Sequence, residues 1–151
     1  MKTIVLISCV KTKLSEPAMA KDLYISDFSR KAYYYSELLK PDRIFILSAK
    51  YGLLSPERII DPYEMTLTKM NVAKRKEWSN EVLEELRKYT DLKRDKFIFL
   101  CGDKYRQYLL SDICDYEIPM KGLRNGQQKH WLKEKLEHEH MSRTASSTKR
   151  S

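Results

Sequence analysis

Short, fully apolar runs recur at three places along the chain and predict buried β-strands. They cover Thr3 to Ser8, Arg43 to Leu47 and Phe97 to Leu100. The runs are rich in β-branched and aromatic residues and show no alternation with polar positions. Such strands are buried on both faces, which is typical of a parallel sheet covered by helices.

Between these runs, apolar residues recur at the 3.6-residue spacing of amphipathic helices. One helix is predicted to start at Ser26, which can cap it, and to end before Pro41. A second is predicted from Asn71 to Tyr89, where basic and acidic residues alternate around a stripe that begins at Val72. The remaining members of that stripe are Trp78, Val82, Leu83 and Leu86.

The end of the chain is predicted to add three shorter elements. These are a short helix within Tyr105 to Ile113, an edge strand from Tyr116 to Pro119 and a last helix from Gln127 to His138. Two polar, Pro- or Gly-containing stretches, Lys11 to Asp22 and Ser48 to Pro62, are predicted to be long loops.

The alternation of strand and helix predicts right-handed crossovers between parallel strands. We therefore expect one α/β domain over residues 1–140, with a three- to four-stranded, mainly parallel sheet and helices on both faces. Residues 141–151 are rich in Ser, Thr, Lys and Arg and are predicted to form a disordered basic tail.

Composition narrows the class of protein. With 151 residues, 42% hydrophobic and 33% charged, the chain fits one globular domain and excludes a multi-domain machine or a fibrous protein. The formal charge of +8 favours a polyanionic partner, namely DNA, RNA or a phosphorylated nucleotide, although solubility alone can also explain such a charge. The sequence leaves the oligomeric state open.

Three cysteines, Cys9, Cys101 and Cys114, lack the spacing of a disulfide framework or a zinc site. We expect no metal and no cofactor. The longest apolar runs are far too short to span a membrane, and no signal-peptide pattern opens the chain. The expected location is therefore the cytoplasm, with no membrane contact.

Ligands of open parallel sheets bind beyond the carboxyl ends of the strands, so the three segments there are candidate binding loops. Each begins with a small residue and soon reaches a lysine, a combination that suits phosphate or carboxylate recognition. Turn chemistry is the simpler alternative for each loop, and no Walker A or GxGxxG pattern supports ATP or dinucleotide binding. The candidate binding residues are Ser8, Cys9, Lys11, Thr12 and Lys13; Ser48, Tyr51 and Gly52; and Gly102, Lys104 and Tyr105.

The second loop also holds the candidate catalytic residues. Asp61 precedes Pro62 and Tyr63, so a carboxylate on a stiffened backbone can hold a water while a base or sugar stacks on the tyrosine. The alternative is an Asp-Pro turn with Tyr63 packed in the core. Lys50 is the second catalytic candidate, as an amine able to form a Schiff base. Further binding candidates are Asp22, Tyr24, Arg30 and Gln127.

Two segments resemble the signature segments of the YaaA-type peroxide-stress proteins. They are Leu6-Ile7-Ser8 with Lys11-Thr12, and the stretch from Leu47-Ser48 through Tyr51-Gly52 to Pro62-Tyr63 and Met65. The resemblance implies DNA binding, a role in limiting oxidative damage and kinship with base-excision enzymes. This chain departs from that family in having Cys9 in place of a proline, Glu64 in place of an arginine, and a shorter length.

The chain is similar over a longer stretch to a group of short uncharacterised bacterial and phage domains. Their patterns are C-x-K-T-K, P-A-x-A-x-D-L-Y-x-S, S-A-K-x-G-L-L and a late G-x-x-x-G-x-Q. In this chain the four patterns lie at residues 9–13, 17–26, 48–54 and 122–128.

The leading functional hypothesis is an enzyme that acts on nucleic acid and cleaves or exchanges the N-glycosidic bond between base and sugar, as a DNA glycosylase does. Asp61 would activate water or stabilise the sugar cation, Tyr63 or Tyr51 would stack on a base, and the lysines would contact phosphates. One alternative is a noncatalytic DNA-binding stress or defence protein. Another is a transferase or hydrolase of small nucleotides.

Overall fold

The protein is described by a computed structural model that covers residues 1–8, 14–23 and 27–149, with the side chains of 27, 125 and 139–149 left outside the description. Seven strands, five α-helices and two 3₁₀ turns lie in these residues. In chain order they are β1 Thr3–Ser8, β2 Ala18–Met19, α1 Ala20–Leu23, α2 Asp27–Leu38, β3 Arg43–Ser48, β4 Gly52–Leu54, β5 Ile59–Ile60, a 3₁₀ turn Leu67–Lys69, α3 Val72–Tyr89, β6 Lys96–Leu100, α4 Asp103–Arg106, a 3₁₀ turn Leu110–Asp112, β7 Asp115–Glu117 and α5 Asn125–Lys149.

Five of the strands form the main sheet, in the order β4-β3-β1-β6-β7. The strands β3, β1, β6 and β7 are parallel, and β4 runs antiparallel to β3. The central strand β1 is in register with both neighbours, since Val5 pairs with Ile44 on one side and with Ile98 on the other. The predicted α/β fold with a mainly parallel sheet is confirmed, with five strands where three to four were expected.

The additional strands lie in the two segments that the sequence predicted to be long loops. Gly52 adopts φ +75°, and the chain turns there so that Gly52–Leu54 returns along β3. The strands Ala18–Met19 and Ile59–Ile60 pair with each other as a separate antiparallel ribbon. Strands of two or three residues are too short to show a periodicity in sequence, so the loop prediction for these segments was wrong.

Helices cover both faces of the sheet, as the sequence predicted. Val5 and Ile7 of β1 face α2 and α5, where they pack with Phe28, Ala32 and Leu132 among others. The alternate residues of β1, such as Ile4, face the core that contains the buried side of α3. The α2 crossover joins β1 to β3, and the α3 crossover passes under β1 to join β3 to β6.

The ends of two helices bear on the sequence predictions. Asn71 caps α3, because its side chain accepts a hydrogen bond of 2.8 Å from the Lys74 N–H. The backbone of α5 continues to Lys149, past residue 141, where the disordered tail was predicted to begin. The side chains beyond His138 lie outside the description, so the domain boundary at residue 140 stays a prediction.

None of the described helices combines the length and apolarity that a membrane span requires.

Candidate functional site

The carboxyl ends of β1, β3 and β6 lie side by side, and we call this side of the sheet the strand-end edge. Ser8 is in register with Leu47, and Ile7 is in register with Leu100. The strands therefore deliver Ser8, Ser48 and Cys101 to one level, where all three are buried. The sequence predicted this shared edge, although most of the loop after β1, with Cys9, Lys11, Thr12 and Lys13, lies outside the described residues, as does Tyr24.

Ser48, at the end of β3, is the centre of a buried hydrogen-bond group. Its hydroxyl donates to Tyr63 Oη at 2.6 Å and accepts from the Tyr51 N–H at 3.0 Å. Its carbonyl oxygen accepts from Trp78 Nε1 at 2.8 Å. Tyr63 is thus held in the interior, which is the core-packed arrangement of the two that the sequence allows.

Tyr51 joins this buried group to the surface. Its ring meets Tyr63 edge-on at a centroid distance of 5.7 Å. Two cations also lie beside the half-buried ring, Lys50 Nζ at 5.2 Å and Arg58 Cζ at 5.5 Å from the centroid. Tyr51 and Lys50, together with Arg58 from later in the chain, therefore present an aromatic ring with two positive charges at the strand-end edge.

The two candidate catalytic residues are both exposed. Asp61 follows the buried Ile60 at the end of β5 and precedes Pro62, and it forms no hydrogen bond or ion pair within the described part of the chain. The Lys50 amine lies at the surface, not in the desolvated pocket in which lysines form Schiff bases. The described residues around Asp61 and Lys50 therefore do not contain an assembled acid–base pair.

The segment after β6 folds into α4, with Gly102 as the residue before it. Lys104 is exposed, whereas Tyr105 is buried and meets Trp78 edge-on at 5.8 Å. Buried Arg106 donates to the Cys101 carbonyl and to the Asp103 carboxylate. Burial raises the pKa of the Cys101 thiol to about 12, even though the nearby Arg106 lowers it. The thiol is therefore protonated at neutral pH and is a poor nucleophile.

Three further predicted binding residues are not drawn into the Ser48 group. Asp22 and Arg30 are exposed near the strand-end edge, on α1 and α2. Gln127 lies in the first turn of α5, where its side chain accepts a hydrogen bond of 2.9 Å from the Arg124 N–H. This contact caps the helix and gives Gln127 a structural role.

The structure adds two residues that the sequence analysis missed, Arg75 and Ser79 of α3. The stripe predicted on this helix began at Val72, but Val72 is 47% exposed, whereas Arg75 is 8% exposed and Ser79 is 1% exposed. Their spacing in the sequence could have identified these two residues as buried. Arg75 lies three residues before Trp78 and four before Ser79, which places it on the same helix face. Arg75 Nε and Ser79 Oγ have no hydrogen-bond partner within the described residues.

Two helix N-termini add positive partial charge at the strand-end edge. The crossover helices α2 and α3 begin there, because each runs back toward the start of the next parallel strand. A helix N-terminus carries a partial positive charge and attracts anions. The first turn of α3, which lies wholly within the described residues, contains no acidic side chain to neutralise that charge.

The opposite side of the sheet, where β1, β3 and β6 begin, is the amino edge. Two clefts lie there, around Arg87 and Asp91 at the end of α3. A single pocket shared by the three candidate binding loops stays a prediction, because most of the first loop lies outside the described residues. No cluster of His, Cys, Asp and Glu within the described chain has the arrangement of a metal site.

Comparison with known proteins gives one family result. A family model described as a family of unknown function (DUF6884) matches residues 4–134. No curated protein and no solved structure matches the chain.

Proposed function

The chain belongs to a family of unknown function, DUF6884, and we propose that its strand-end edge binds the phosphates of nucleic acid or of a phosphorylated nucleotide. The observation that carries this proposal is the grouping of Tyr51, Lys50 and Arg58 next to the end of β3. Helix N-termini at the same edge and the formal charge of +8 act in the same direction.

An aromatic ring flanked by cations suits a nucleotide for two separate reasons. Lysine and arginine neutralise phosphate oxygens, which makes binding depend strongly on salt. An aromatic side chain offers a surface to any base, because every base has a π-face. The proposal therefore covers nucleic acid and free nucleotide, and the strength of the salt dependence separates the two.

The test is a titration of labelled single- and double-stranded oligonucleotides and of a 5′-mononucleotide at several salt concentrations. Lys50→Ala is expected to weaken oligonucleotide binding and to reduce the slope of log K against log salt by about one unit. Lys93→Ala is the matched control, because Lys93 is also exposed but lies at the amino edge. Equal effects of the two substitutions would contradict binding at the strand-end edge.

A second candidate function is cleavage or exchange of the N-glycosidic bond. One observation favours it: Asp61 is open to water on a segment fixed at both sides, by the β2–β5 ribbon before it and by the Tyr63–Ser48 hydrogen bond after it. A carboxylate held in this way can activate water or stabilise a sugar cation. This function is placed second because Asp61 has no acid–base partner among the described residues.

Release of free bases from normal and modified DNA, measured by mass spectrometry, tests the second function. Asp61→Asn is expected to reduce release by about 100-fold, the usual size of a lost general base, with oligonucleotide affinity unchanged. Glu64→Gln is the control, since Glu64 is an exposed carboxylate three residues away. If Asp61→Asn lowers the melting temperature and leaves base release unchanged, Asp61 is a turn residue.

A further inference from the structure

Arg75 is a buried cation without a counter-charge among the described residues. It is 8% exposed, its Nε has no hydrogen-bond partner there, and none of the ion pairs formed within that part of the chain includes it. Ser79, one helical turn further along, is 1% exposed and its hydroxyl is equally unpartnered. Two neighbouring buried polar groups on one helix face thus retain unused hydrogen-bonding capacity.

The position of Arg75 follows from the path of α3. The buried residues Leu86, Val82, Ser79 and Arg75 form one row on the helix, and the row ends at the strand-end edge, where α3 begins. Arg75 is therefore the member of that row that lies closest to the edge.

The contacts of Trp78, which is in the same turn as Arg75, show which strands lie next to this turn of α3. Its indole N–H reaches Ser48 at the end of β3, and its ring meets Tyr105 after β6. Since β1 lies between β3 and β6, this turn of α3 lies beneath the end of β1. The connection after β1 runs to β3, whereas the connection after β6 runs the other way, to β7, so the switch point where ligands of open α/β sheets bind lies between the ends of β1 and β6.

The energetics favour an anion next to Arg75. A buried charge without a partner is costly, and the positive end of the α3 dipole adds to that cost at this location. An oxyanion removes both penalties. The planar guanidinium presents Nε and a terminal nitrogen side by side, which matches two oxygens of a phosphoryl group, and the Ser79 hydroxyl can donate to a third.

We propose that Arg75 and Ser79 form a phosphoryl-binding site at the start of α3, which receives a phosphate group of a nucleotide or of nucleic acid. The identity of the ligand as a nucleotide rests on the proposed function, whereas binding of a phosphoryl group does not. The site is distinct in chemistry from the exposed Lys50 and Arg58, because its cation is buried.

The test uses Arg75→Met in the full chain, with melting temperatures measured in inorganic phosphate and in sodium chloride of equal ionic strength. Without phosphate, the variant is expected to melt about 3 °C higher than the wild-type protein, because methionine fills the site without a buried charge. Phosphate is expected to raise the melting temperature of the wild-type protein and not of the variant. Arg87→Met is the control, being an exposed arginine on the same helix.

Direct titrations of a 5′-mononucleotide and an oligothymidylate identify the source of the phosphoryl group. Arg75→Lys is expected to weaken binding at least about tenfold, since lysine keeps the charge and loses the fork, and Ser79→Ala to weaken it less. A lower melting temperature for Arg75→Met, together with an unchanged response to phosphate, would overturn the site. If phosphate binding depends on Arg75 and neither nucleotide nor oligonucleotide binds, this site stands and the proposed function fails.

Discussion

The amino edge and the strand-end edge of the sheet treat their polar groups in different ways. At the amino edge, the Asp95 carboxylate accepts from the N–H groups of Lys2 and Asp91, both at 2.8 Å, and Asp42 accepts from the Thr3 N–H at 2.7 Å. At the strand-end edge, Arg75 Nε and Ser79 Oγ have no partner within the described residues. At the amino edge, polar side chains bind the backbone at the starts of the strands. At the strand-end edge, two buried polar groups have no partner among the described residues and can bind a ligand.

The largest effect is expected from breaking the amino edge at Asp95. Asp95→Ala leaves two backbone N–H groups without their charged acceptor, and we expect a loss of about 3 kcal/mol in the free energy of unfolding. Urea denaturation at pH 7 measures this loss. A loss below about 1 kcal/mol would show that water replaces the carboxylate and that this edge is not held by Asp95.

The pH dependence of stability sharpens the same test. Burial raises the pKa of Asp95, but the hydrogen bonds from the Asp91 and Lys2 N–H groups lower it more, so the pKa lies below its ordinary value of 3.8. The stabilisation by Asp95 is therefore complete above that value and is lost as pH falls through the lowered pKa of the folded state. The stability gap between wild-type and Asp95→Asn proteins is expected to be constant at neutral pH and to shrink in acid.

An intermediate effect is expected at the strand-end edge for Tyr63→Phe. The change removes the 2.6 Å hydrogen bond between Ser48 and Tyr63 and leaves the packing of the ring intact, so we expect a loss of about 1 kcal/mol. Chemical denaturation of Tyr63→Phe, Ser48→Ala and the double variant measures the coupling of the two hydroxyls. Additive losses would show that the hydroxyls act independently.

The smallest effect is expected for Arg87→Gln, also at the amino edge. The Arg87–Asp112 ion pair spans 3.0 Å, but both side chains are largely exposed. Exposed ion pairs contribute little to stability, so we expect a loss of less than about 0.5 kcal/mol in the free energy of unfolding. Because salt screens exposed charges, this loss should disappear in about 1 M salt. A larger loss that persists in salt would mean that surface pairs, and not Asp95 alone, hold the amino edge.

The fold was largely accessible from the sequence, because its main elements have a strong periodic signal. The run from Thr3 to Ser8 is a strand with those bounds, and the predicted Asn71–Tyr89 helix is the capped helix α3. The short strands β4 and β5 were not accessible, since their pairing depends on the turn at Gly52 and on a ribbon partner that is distant in sequence.

The candidate site was accessible only in part. Parallel strands made it possible to predict that Ser48 and Gly102 share an edge. The sequence could not show that Tyr63 turns inward to Ser48, because an Asp-Pro-Tyr segment fits an exposed turn equally well. Nor did it assign Arg75 to the interior, since an arginine among alternating charges is ordinarily a solvated residue.

The central place of β1 in the sheet also has a consequence in time, during synthesis. Its two partners are made in sequence, β3 first and β6 later, so β1 stays a bare sheet edge while the intervening chain is translated. At about 5–20 residues per second, the roughly 50 residues from the end of β3 to the end of β6 take several seconds. Throughout that interval the apolar run of β1 offers an open hydrogen-bonding edge to any other nascent strand. The step that closes this vulnerable period is the arrival of Lys96–Leu100 at the ribosome exit.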